Sequence, residues 1–147
     1  MKLVDADATI MVVTGGSAAA LERDGPLAAW LAEEVDRRGG GVRYHHAVVL
    51  PDARFVQSPL VHRNPTIAIG GPGANQVAHH LSQVLPTVWN QEERSFVQLA
   101  PGDTGRQAAI WGMDAEATRR AVEAFVAEGM LDDLLERVWH VRNQPLM

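Results

Sequence analysis

The sequence predicts an α/β protein, a three-layer αβα sandwich around a mostly parallel or mixed sheet of Rossmann-like or flavodoxin-like kind. Three observations carry this. Short β-branched apolar runs, such as Thr9-Ile10-Met11-Val12-Val13-Thr14 and Thr66-Ile67-Ala68-Ile69, lack polar alternation, as strands covered on both faces do. Segments with apolar residues at helical spacing alternate with these runs. Glycine stands where several runs end, at Gly15, Gly70 and Gly112, as a tight turn from strand to helix requires. With 147 residues the chain is expected to form one domain over its whole length.

The first strand, 9–14, ends in Gly15-Gly16. Residues 17–23 are long enough for one or two helical turns, which Asp24-Gly25-Pro26 stops. A new helix over 26–38 then starts with proline at its first position. Its apolar residues Leu27, Trp30, Leu31 and Val35 fall on one face, so the Trp30 face is expected against the sheet. Arg37 and Arg38 suit the negative end of its dipole, and Gly39 ends it. The second strand is 47–50, closed by Pro51-Asp52. A short extended piece at 55–56 and a loop lead to the third strand, 66–69. A helix over 72–85 places Ala74, Val77, Ala78, Leu81 and Leu85 on one stripe, and Pro86 closes it. Strands are expected at 87–89, 96–99 and 108–111, with the 96–99 strand as the antiparallel member. Asp114 caps a helix over 115–128 that turns Ala117, Ala121, Ala124 and Phe125 inward. Gly129 stops it, and a last helix buries Leu131, Leu134, Leu135 and Val138 before a fraying tail at 143–147.

Composition narrows the function classes. Eighteen acidic against 13 basic residues give a net charge of −5, opposite to a nucleic-acid binder. Zero cysteines exclude disulfide scaffolds, zinc ribbons and thiol catalysis. Lys2 is the only lysine, which excludes a P-loop. No apolar run approaches the ~20 residues that cross a bilayer, so no membrane partner is expected. Asp5 and Asp7 interrupt any early apolar stretch, and the expectation is a cytoplasmic protein.

The chemistry is expected where the glycine turns meet. In open α/β sheets ligands bind at the carboxyl edge, where glycine lets backbone approach closely and helix starts offer N–H groups to an anion. The candidate ligand-binding residues are therefore Gly15, Gly16, Ser17, Arg54, Gly71, Gly73, Asn75 and Asp114, for a small anionic ligand. The alternative is that these glycines serve only to turn the chain. Asp114 favours that alternative, since a capping carboxylate repels an anion. Ser17 and Asp52 are the candidate catalytic residues, Ser17 because it lies at a strand-to-helix turn, although the Gly-x-Ser-x-Gly elbow is absent and an N-cap role competes. Gly71-Pro72-Gly73-Ala74-Asn75-Gln76 fits the dinucleotide fingerprint poorly, so no cofactor is named. Six histidines show no His-x-x-x-His spacing, and only scattered residues such as Asp52, His62 and His80 are left for a metal; none is assigned. Trp30 and Trp111 read as core, and Trp139, near the tail, as a candidate homodimer contact.

Two stretches carry a resemblance. Pro65-Thr66-Ile67-Ala68-Ile69-Gly70-Gly71-Pro72-Gly73-Ala74-Asn75 is followed later by Ala109-Ile110-Trp111-Gly112-Met113-Asp114 and a helix with Thr118. Together they resemble a pattern in archaeal S-layer proteins and related uncharacterised proteins, over roughly residues 65–126. The resemblance implies a structural or assembly lineage with no catalytic residue. It gives Gly70, Gly71, Pro72, Asn75, Gly112, Asp114 and Thr118 as architecture. The sequence departs from secreted S-layer proteins in having no sequon and no repeated layout.

The expected function is a non-catalytic binding or interaction module that self-associates. The alternative is a small hydrolase or transferase acting on an anionic metabolite at the carboxyl edge, with Ser17, Asp52, Arg54 and Asn75 nearest the chemistry. Nucleotide or flavin binding ranks third.

Overall fold

Five consecutive apolar and β-branched residues form β1 (Ile10–Thr14), and all five are buried. Its side chains alternate between two cores, which is possible only for an interior strand. The rest of the computed structural model, which describes residues 3–140, is arranged around it. In chain order follow α1 (Ala18–Gly39), β2 (Ala47–Pro51), α2 (Asp52–Val56), a single 3-10 turn at Pro59–Val61, β3 (Thr66–Ile69) and α3 (Gln76–Val84). Then come β4 (Thr87–Gln91), β5 (Ser95–Leu99), β6 (Gln107–Gly112), α4 (Ala115–Ala127) and α5 (Met130–Trp139).

The fold is α/β, with one six-stranded mixed sheet in the order β2-β1-β3-β6-β5-β4. β2, β1, β3 and β6 run parallel to one another. β5 runs antiparallel to both β6 and β4, so it alone opposes the rest, at the place where the sequence expects an antiparallel strand. Ile10 and Val12 of β1, Ile67 and Ile69 of β3, Val97 of β5 and Ile110 of β6 share one core with Leu31 of α1, Phe125 of α4 and Leu134 of α5. Met11 and Val13 of β1, Ala68 of β3 and Ala109 of β6 share the other with Val77, Ala78 and Leu81 of α3. Each fully buried large side chain in these cores contributes about 1.5–3 kcal/mol relative to exposure. No helix among the described residues is long and apolar enough to cross a membrane.

Four expectations are corrected. First, Asp24-Gly25-Pro26 does not interrupt the helix: α1 is continuous over 22 residues with Pro26 inside it. Glu22 and Pro26 are both exposed, so the carbonyl that loses its helical N–H partner faces water and the usual interior cost of proline is reduced. Second, the face that α1 buries carries Ala20, Asp24, Ala28, Leu31 and Val35, which leaves Trp30 38% exposed. Small residues, not the indole, let the helix lie on the sheet. Third, residues 55–56 are not extended but close the five-residue α2, which begins at Asp52. Fourth, Trp139 is buried at 8% exposure: its indole stacks on His45 at 4.5 Å and its Nε1 donates to the Ala8 carbonyl at 2.7 Å. It is thus a core residue and not a contact for another chain. Burial beside it, and then the neighbouring His46, push the His45 imidazole below its ordinary range. Trp111 is half-buried, stacked on Phe96 at 4.4 Å with Nε1 donating to Gln98 Oε1.

The remaining differences are at boundaries. α3 starts at Gln76 rather than at residue 72, because Asn75 caps it, and β4 runs on to Gln91. Within α4, Thr118 and Val122 join the expected inward residues, and Ala124 is half-buried. The expected fraying of 143–147 lies outside the described residues.

Candidate functional site

β1 leads through α1 to β2 on one side, and β3 leads through α3 to β4, beyond β6 and β5 on the other, so the connections leaving the carboxyl ends of the adjacent strands β1 and β3 diverge. That divergence is the place where open α/β sheets form a crevice. The β1–α1 turn and the β3–α3 loop meet there. Gly15 packs so closely on the Ala74 carbonyl that no side chain fits between them.

Asn75, only 1% exposed, fills the crevice. Its Nδ2 donates to the carbonyls of Val13 and Ile69, both at 3.0 Å, and so bridges the ends of β1 and β3. Its Oδ1 accepts from Val77 N at 2.9 Å and Ala78 N at 3.1 Å, capping α3. Asp52, 5% exposed, completes the cap from the neighbouring strand end. Its Oδ2 accepts from Gln76 N at 2.8 Å while Oδ1 accepts from Ala53 N at 2.7 Å. The first three amides of α3 are therefore already matched to side-chain oxygens, one of them anionic.

Above these groups opens a cleft of about 670 Å³, within the size range of small-molecule sites. Gly16, Ser17, Asp52, Gly73, Asn75, Gln76 and His79 are among the residues that line it. Among the described residues of the lining, Asp52 is the one with a formal charge. Gly16 stands directly over it, since a Cβ there would lie 3.2 Å from Asp52 Oδ1. Ser17 Oγ accepts from Ala20 N at 3.1 Å, the N-cap of α1.

The structure thus gathers Gly16, Ser17, Asp52, Gly73 and Asn75 around one opening, with Gly15 buried behind it. Gly71 is half-buried at the start of the β3–α3 loop, where its carbonyl accepts from Ala74 N and Asn75 N. Arg54 is exposed on α2 and does not line the cleft. Asp114 belongs to a separate hollow of about 130 Å³ with Arg94, Glu116 and Arg120. There it caps α4 by accepting from Ala117 N at 2.8 Å and pairs with Arg94. The Ala117 amide first, and then Arg94, hold its carboxyl below the usual range. Of the scattered metal candidates, His62 and His80 line a third pocket beside Phe55, apart from Asp52. Among the described residues no three His, Asp or Glu side chains are grouped as a metal would need.

Sequence reasoning missed three residues at this edge. Gln76 and His79 line the cleft from the first turn of α3. Asp24 is fully buried on α1, held by Arg23 Nε at 3.1 Å and Nη2 at 2.9 Å. It lies against Gly70, whose φ of +111° and missing Cβ make room for it: a Cβ there would sit 2.7 Å from Asp24 Oδ2. The signal was present in the spacing of Ala20, Asp24, Ala28 and Leu31, which puts Asp24 on the apolar stripe. The fold and cleft define the class as an α/β domain with an opening at the carboxyl edge of its sheet. The chain matches no protein-family model and no curated protein sequence.

Proposed function

We propose that the protein is a non-catalytic, self-associating binding module that takes a small polar ligand in the carboxyl-edge cleft. The arrangement of helices on both faces supports reading the fold as the three-layer, Rossmann-like kind, in which this edge is the ligand edge. The observation that carries the proposal is the state of the polar groups lining the cleft. Among the described residues the Ser17 hydroxyl is bonded only to Ala20 N, as a cap, and is not coupled to an imidazole or carboxylate that would activate it. Asn75 has all four of its hydrogen-bonding positions in use. Asp52 has one bond on each carboxylate oxygen, and a carboxylate accepts about four. Asp52 is among the residues that line the opening.

This favours a different ligand from the small anion expected from glycine turns and helix starts. An anion in this cleft meets the Asp52 carboxylate, finds no arginine or lysine among the described lining residues, and reaches α3 amides that are already matched. A ligand bearing N–H donors or a positive charge meets an acceptor instead. The assembly role implied by the resemblance to archaeal S-layer modules agrees with a module that works by binding.

Calorimetry with putrescine and with inorganic phosphate, on the parent chain and on Asp52→Asn, tests the reading. Putrescine is expected to bind the parent and to lose at least about tenfold in affinity, or about 1.4 kcal/mol, in the variant. Phosphate binding to the parent chain with no binding of putrescine would contradict it.

A further inference from the structure

None of the 13 basic and 18 acidic side chains falls within residues 64–91, the stretch that forms β3, α3 and β4. β3 is buried, so this stretch meets water through the β3–α3 loop at the cleft, the outward face of α3, and β4 with the turn before it. α3 packs on β3 and β6, and its last turn reaches β5, the strand beside β4, where Gln98 donates to the carbonyls of Ser82 and Leu85, so Val84 lies at the end of α3 from which the chain passes into β4. β4 is the terminal strand of the sheet. Val84 is 61% exposed and Val88 51%. In a chain with 21% charged residues, the result is a surface of amides, imidazoles and two bare valines with no formal charge. Loss of charge around exposed apolar side chains marks the centre of protein interfaces, and edge strands that stay unpaired are usually guarded by charge.

We propose that a second copy of this chain docks on this surface, about a two-fold axis that brings Val84 and Val88 of one copy against those of the other. The inference rests on the self-associating reading above and names the surface it uses. The occupant follows from charge. Each chain carries −5, so two copies oppose each other electrostatically, and they do so least where the contacting surface is uncharged. A two-fold contact uses the same patch twice and must match itself. Side chains such as Gln83, Asn90 and Gln91 both donate and accept, so this patch does, whereas a charged partner surface would find no counter-charge here. Side chains make the contact. The irregularity between Thr87 and Trp89 skips Val88 in the ladder to β5, and such bulges disfavour continued strand pairing at an edge.

Sedimentation equilibrium of the parent chain and of Val84→Lys, Val88→Lys and Val42→Lys is the test. Val42 is 56% exposed in the α1–β2 loop, outside the patch. The parent is expected at twice the 16.0 kDa chain mass. Each lysine in the patch should weaken the dimer at least about tenfold, because symmetry sets like charges face to face, and Val42→Lys should leave it unchanged. The chain has no cysteine of its own, so Val84→Cys should give a covalent dimer on mild oxidation while Val42→Cys does not. A dimer that survives both patch lysines, with no crosslink through Val84→Cys, overturns the surface and leaves self-association standing. A parent chain that sediments at 16.0 kDa at every concentration overturns both.

Discussion

The carboxamide of Asn75 does two jobs that backbone geometry creates together. The Val13 and Ile69 carbonyls meet at the carboxyl ends of β1 and β3, and α3 begins beside them with amides that have no helical acceptor. One side chain with two donors and a two-lone-pair acceptor satisfies all four, and only asparagine or glutamine has that chemistry. Asn75→Ala strands buried polar groups on both sides and is expected to cost about 2–4 kcal/mol in urea unfolding. A loss below about 1 kcal/mol would show that water or the loop replaces the carboxamide. The paired fates of Gly70 and Asp24 follow a similar logic: a buried carboxylate needs both a cation, here Arg23, and the space that a missing Cβ leaves.

At the scale of elements, the strands were legible because buried runs have no competing periodicity. β1, β2 and β3 fall within a residue of where the apolar pattern puts them. α1 was not, because proline is read as a stop whichever way it faces, and Pro26 points to solvent. α2 was not, because five residues are too few for a helical period to show. The site was half legible. Glycine and capping residues located Gly16, Ser17, Gly73 and Asn75 at one edge, but nothing in the order of residues says that Arg54 looks away from the opening or that Asp114 serves a separate hollow. The β4–β5 hairpin carries the clearest local conflict, since Glu92 and Glu93 adopt φ of +53° and +57° in a turn that favours Asn-Gly. Glu93→Gly is expected to stabilise the protein by about 0.5–1 kcal/mol, read as a higher urea midpoint with an unchanged slope. An unchanged or lower midpoint would mean that the Glu93 backbone, held by Asn90 Oδ1 at 2.9 Å, carries no strain.

For the whole molecule, charge and topology act on the same region. Topology opens a crevice between β1 and β3, and the chain's own Asn75 and Asp52 close its floor, so what remains for a ligand is the wall above them. The net charge of −5 and the Asp52 carboxylate both make that wall more favourable to donors and cations than to anions, while the stretch 64–91 carries no formally charged side chain. The central claim is that this opening is where the protein binds. Mapping backbone amide chemical shifts over the intact chain during a putrescine titration tests it most directly. The account predicts the largest shifts at Gly16, Gly73 and Gln76, with little change around Arg94 and Asp114. It is contradicted if those three amides stay still, or if they move with inorganic phosphate and not with putrescine.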